Sequence, residues 1–81
     1  MSNRDLCIMA CVFCRDPQFQ EWCTTPAEKA AGWDREEVAK QFILRLCGVL
    51  SRNELDTNPE AAKRFHELVR KPFLEWKEAN T

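Results

Sequence analysis

The stretch Asp34–Gly48, DREEVAKQFILRLCG, spells out a helix together with both of its ends. Asp34 offers an oxygen cap, and Glu37 three residues later completes a capping-box pattern. Val38, Ala39, Phe42, Ile43, Leu46 and Cys47 recur at the i, i+3, i+4 spacing of one helical face. Gly48 is the residue type that closes a helix in the left-handed conformation. Leu44 falls off this stripe, which assigns it to a second neighbour or to a partner.

Working outward from this helix, the same devices recur. Towards the C-terminus, Ser51-Arg52-Asn53-Glu54 is a further box and opens a helix of one or two turns around Leu55. Asn58-Pro59 caps a last long segment with apolar positions Ala62, Phe65, Leu68, Val69, Phe73 and Trp76. That stripe passes Pro72 in phase, so the segment kinks or restarts at Arg70–Pro72 with the same face buried. Towards the N-terminus, Gly32 ends a short helix that Thr25-Pro26-Ala27-Glu28 opens, and Asp16-Pro17 starts another carrying Phe19, Trp22 and Cys23. Ser2 or Asn3 caps a first helix with Leu6, Met9, Ala10 and Phe13, which Ile8 and Val12 make apolar on more than one side. That helix is expected to be the most buried element.

No stretch alternates convincingly at strand length, and two Gly and four Pro leave little room for the turns of an all-β fold. The expectation is all-α: residues 1–81 as a single compact helical bundle of about five or six helices, three of them long. A chain of this length holds one small core at most.

Composition narrows the function. The formal net charge is −1, so the strongly basic footprint of a nucleic-acid binder is absent. Residues 1–34 carry three basic and five acidic side chains and residues 35–81 nine and eight, so any affinity for DNA needs a local patch. Leu6–Phe13 is too short to span a bilayer and has no clean cleavage site after it, which predicts a cytoplasmic chain with no membrane role. Five Cys in a reducing compartment are thiols rather than a disulfide framework.

Among candidate sites, Cys11 and Cys14 have CxxC spacing, Cys7, Cys11 and Cys14 fall at i, i+4 and i+7 of one helix face, and Cys23 or His66 could add a fourth ligand to a zinc staple. Against that, no second CxxC is present, and cysteine in an apolar run acts as a small hydrophobe. No cofactor is expected. His66, the single histidine, has no orienting Asn or Asp motif and no oxyanion loop beside it, so no catalytic pair is read and the chain is not expected to be an enzyme. Trp33 follows Gly32 on a loop, where an aromatic is either a lid on the core or a binding anchor. Glu67 lies at helical spacing from Lys63, Arg64, Arg70 and Lys71, which predicts a salt-laced solvated face.

The run GVLSRNEL, residues 48–55, resembles the last corner of LuxR-type DNA-binding domains. The run reads first as a structural corner, in which Gly48 ends one helix and Ser51 caps the next; the alternative is nucleic-acid contact through Arg52 and Asn53, backed by Lys63, Arg64, Arg70 and Lys71 on the last helix. More broadly, CRDPQFQEWC (14–23) and LCGVLSRNELDTNPEAAKRFHELVRKPFLEW (46–76) resemble a group of small bacteriophage and prophage proteins. Those carry a C-x-D/E-P-x-F-x-x-W/F segment, then CGV-x-SR-x-ELD and an F-H-x-x-x-R-x-P-F/Y-x-x-W tail. The resemblance covers about half the chain, leaves Thr24–Arg45 unmatched, and implies a phage origin, often near recombination and replication functions, rather than an activity. The expected role is a non-catalytic interaction protein in the cytoplasm of a bacterial host, monomeric or homodimeric. It binds a host or phage protein of a DNA-processing, repair or defence complex through Trp33, Leu44, Arg52, Arg64, His66 and Arg70. A nucleic-acid-binding module is the alternative, and a zinc-stapled module with Cys7, Cys11, Cys14 and Cys23 the further one.

Overall fold

The computed structural model describes residues 5–80 as an all-α fold. The helices are α1 Asp5–Arg15, α2 Pro17–Cys23, α3 Pro26–Ala31, α4 Arg35–Cys47 and α5 Glu54–Thr57. A last rod follows, made of α6 Pro59–Arg64, a π-helical segment Phe65–Arg70 and α7 Lys71–Ala79. The expected cap at Ser2 or Asn3 lies outside the described residues.

Local hydrogen bonds explain most of the boundaries. Asp16 accepts the Gln18 N–H at 2.8 Å, with Pro17 opening α2. Thr25 and Glu28 form a reciprocal capping box, and the Thr25 N–H it accepts holds the Glu28 carboxyl below the usual carboxylate range. Asp34 caps α4 through the Glu36 N–H at 3.3 Å, but Glu37 does not reach back to complete the expected box and accepts from Gln41 Nε2 instead. The box expected at Ser51 also changes form. Glu54 accepts the N–H groups of Leu50 and Ser51 at 2.8 and 3.0 Å, while the Ser51 hydroxyl accepts from Asn53. α5 is left with a single turn.

Gly48 ends α4 at φ +68°, with its own N–H on the Arg45 carbonyl and the Val49 N–H on the Leu44 carbonyl. This is a Schellman closure, in which the residue after the glycine packs back against the last turn. Val49 and Leu44 are accordingly both buried in the core. Leu44, expected to be available to a partner, is therefore not a surface residue; the closure folds the chain over it. Arg64 braces the same corner by donating to the Cys47 carbonyl at 3.2 Å. A Cβ at Gly48 would lie 3.1 Å from that guanidinium, whereas one at Gly32, φ +73°, meets open space. Gly48→Ala is expected to cost about 2 kcal/mol and Gly32→Ala about 1, because only the former adds a steric conflict to the left-handed penalty. Urea midpoints check the ranking, and equal costs would show that Arg64 does not brace the corner.

α4 is the central element, packed against α1, α2, α6 and the π segment. α1 is not the most buried helix. Ala10 and Cys14 are enclosed, but Ile8 and Val12 are each 58% exposed. Its neighbours α2, α4 and α5 leave that side uncovered, and the small Ala10 and Cys14 allow close approach to them.

The last rod buries Ala61, Phe65, Val69 and Phe73, a strict four-residue spacing, while Leu68 is half out in solvent. In an α-helix each such step drifts by about 40°. The wider π turns, marked by the Lys71 N–H on the His66 carbonyl, rotate the stripe back onto the core and lead into Pro72, which has no N–H to give. The rod thus absorbs the proline by widening rather than by restarting. Phe73 meets Phe13, Phe19, Trp22 and Trp76 in one aromatic cluster. Among the described residues, no helix is long and apolar enough to cross a membrane.

Candidate functional site

Three hollows among the described residues bear on function. The largest, about 530 Å³, is lined by Glu28, Trp33, Asp34, Glu37, Val38, Gln41 and Arg45. Its construction follows from the helix ends. The left-handed Gly32 terminates α3, Asp34 caps α4, and the three-residue link leaves Trp33 60% exposed. Val38 forms the apolar floor, and Glu37, Gln41 and Arg45 come from one stripe of α4 turned away from the core. Three carboxylates face one guanidinium, so the rim is acidic. α3 itself is tied to α2 by Lys29 Nζ on Glu21 at 2.6 Å, which holds the Glu21 carboxyl below its ordinary range.

A second hollow, about 390 Å³, runs along the outer face of the last rod between His66, Glu67, Arg70, Lys71, Leu74, Glu75 and Glu78. The third, about 270 Å³, lies where α1 meets the α4–α5 turn, lined by Cys7, Cys11, Lys40, Leu50, Ser51, Arg52 and Asn53. The residues expected to form one binding surface are therefore dispersed. Trp33 lines the first hollow, His66 and Arg70 the second, and Arg52 the third; Arg64 serves the α4 corner and Leu44 is buried.

The corner at 46–56 does not present a reading helix. α5 has one turn, Leu55 is buried, and both carboxylate oxygens of Asp56 accept N–H groups of α1, from Leu6 at 3.0 Å and Cys7 at 3.1 Å. Lys63, Arg64, Arg70 and Lys71 are exposed. None of them pairs with Glu67 among the described residues, contrary to the expected salt-laced face. The π segment changes the angular step on which those four-residue pairings depend.

No family model, curated protein or solved structure matches the chain.

The thiols divide by burial. Among the described residues, no three His, Cys, Asp or Glu side chains are placed to hold a metal, so the cysteines do not converge as the zinc staple requires. Cys14, Cys23 and Cys47 are core residues. Burial pushes the Cys23 and Cys47 thiols up to about 11 and raises Cys14 as well, although the Arg52 guanidinium opposes the shift at Cys14. Such thiols are protonated near pH 7 and behave as apolar side chains. His66 lines a hollow that no cysteine lines, and its ring lies 6.0 Å from that of Phe65.

The sequence pointed to Trp33 but not to the rest of its groove. The available signal was the 34, 37–38, 41, 45 periodicity of α4's outer face, which the stronger core stripe obscured.

Proposed function

We propose that this chain is a non-catalytic interaction module of the small phage kind, acting in the cytoplasm of a bacterial host. It occupies a surface of a host or phage protein in a DNA-processing, repair or defence complex. The reading is carried by Trp33: a large aromatic side chain, mostly exposed on a short rigid link between two capped helices, above an apolar floor. Interface anchors have this character, because tryptophan supplies large contact area at little conformational cost. The acidic rim favours a partner surface that brings cations to the edge of an apolar contact.

The test is affinity capture from infected and uninfected host lysate with the parent chain and Trp33→Ala. A protein retained at stoichiometric level by the parent should be lost with the variant, an effect of about 2 kcal/mol or roughly 30-fold in affinity. The variant's own stability should change by no more than about 0.5 kcal/mol, since the indole is outside the core. Identical captures by parent and variant, or no stoichiometric capture by the parent, would refute the assignment.

A further inference from the structure

The third hollow has a chemistry unrelated to the Trp33 groove. α1 places Cys7 and Cys11 one helical turn apart, both half-buried and both lining the same hollow. The Cys7 thiol donates to Asn53 Oδ1 at 3.2 Å. Cys14, a further turn along, is fully buried, so it does not join them at the surface. Asp56 is occupied with the first N–H groups of α1. Among the described residues, the hollow therefore offers two thiols and no third thiol, imidazole or carboxylate.

Two thiols one turn apart on an intact helix are poorly placed for a disulfide. Their Cβ atoms lie about 5–6 Å apart, whereas a disulfide needs about 3.5–4.5 Å. They are well placed to hold one atom between them. Metal–thiolate bonds of about 2.3 Å put two sulfurs some 4–5 Å apart when they bind a cation from opposite sides. Soft thiolate pairs select copper(I), which is satisfied by few ligands. The product carries a net negative charge, and Lys40 and Arg52 line the hollow that would hold it.

We propose that Cys7 and Cys11 form a two-coordinate site for a single copper(I) ion. Each S–H bond breaks heterolytically, each sulfur forms one bond to copper, and both protons go to solvent. Two thiols and Cu⁺ thus give a bis(thiolate)copper(I) anion and two H⁺, and no atom changes oxidation state. Lys40 and Arg52 neutralise the anion, and the hydrogen bond from the Cys7 thiol to Asn53 is given up as its proton leaves.

The experiment is an anaerobic competition for copper(I) between the purified chain and the chromophoric chelator bicinchoninate. The parent should withdraw a single equivalent and develop a thiolate-to-copper absorption band in the near ultraviolet. Cys7→Ser and Cys11→Ser should each weaken binding by more than the ~100-fold typical of losing a residue that merely orients a ligand. Cys23→Ala, remote from the hollow, should not. Serine at position 7 keeps a donor for Asn53, and far-ultraviolet circular dichroism confirms that each variant is folded. Lys40→Gln gives an independent check with both thiols intact, at about tenfold weaker binding. Failure of the parent to compete, full copper retention by Cys7→Ser or Cys11→Ser, or tighter retention of zinc than of copper(I) would each overturn the assignment.

Discussion

Phe73→Ala is expected to remove about 3–5 kcal/mol of folding stability. The side chain is 1% exposed, and its ring centroid lies 5.3 Å from Phe13, 5.0 Å from Phe19, 5.6 Å from Trp22 and 6.2 Å from Trp76. Those four rings come from α1, α2 and α7, so the cavity left by alanine would open where three helices meet. Inward relaxation is resisted because the neighbouring rings also hold one another: Phe13 stacks on Phe19, and Trp22 meets Phe42 edge-on. A small domain has only about 5–15 kcal/mol in total, so this single truncation consumes a large share of it. Phe73→Leu, which keeps most of the volume, should cost about 1.5 kcal/mol. Urea unfolding followed by tryptophan fluorescence reads both, because Trp22 and Trp76 report directly on the cluster. A loss below about 1 kcal/mol for the alanine variant would mean that the rings can close over the gap and that the cluster does not fix the bundle.

The features legible in advance are those whose partners lie within a few residues. The caps at Asp16, Thr25 and Asn58 and the left-handed closures at Gly32 and Gly48 depend on hydrogen bonds that span two to five positions. The α4 stripe is legible for the same reason, since one period decides it. The features that escaped depend on what surrounds the element. α1 reads as apolar all round, yet burial needs neighbours on every side, and the bundle supplies them on one. Leu44 falls off the stripe but is enclosed by the closure that Gly48 permits. Pro72 signals an interruption, but its position cannot distinguish a kink from a widened turn. The π segment resolves that and changes the register of the charged pairs with it. At the candidate site, Trp33 stands out as an aromatic beside a glycine. The dispersal of Arg52, Arg64, His66 and Arg70 among different surfaces follows from helix packing and leaves no mark in their spacing.

Asp56→Ala is expected to cost about 2–3 kcal/mol, with the damage concentrated at the start of α1. The first turn of any helix leaves backbone donors without intrahelical partners. Here, those of Leu6 and Cys7 are met by one carboxylate from α5, across separations of 50 and 49 residues. The pairing is charge-assisted and lies at the positive end of the helix dipole, so it is stronger than a neutral cap. Hydrogen bonds of this type contribute about 1.5–3 kcal/mol, more than an exposed serine cap provides. Asp56→Asn should retain part of the effect, because the amide oxygen can accept one N–H while its nitrogen cannot accept the other. Amide hydrogen exchange distinguishes this role from a general loss of stability: Leu6 and Cys7 should exchange faster in the alanine variant before the α4 amides respond. Unaltered protection at Leu6 and Cys7, with a cost below about 0.5 kcal/mol, would show that α1 is held by side-chain packing alone. The same carboxylate anchors the turn that carries Cys7 to the turn that carries Asn53. Loosening it should therefore also disorder the dithiol hollow, whereas truncation of the exposed Trp33 should leave both the α1 amides and the hollow untouched.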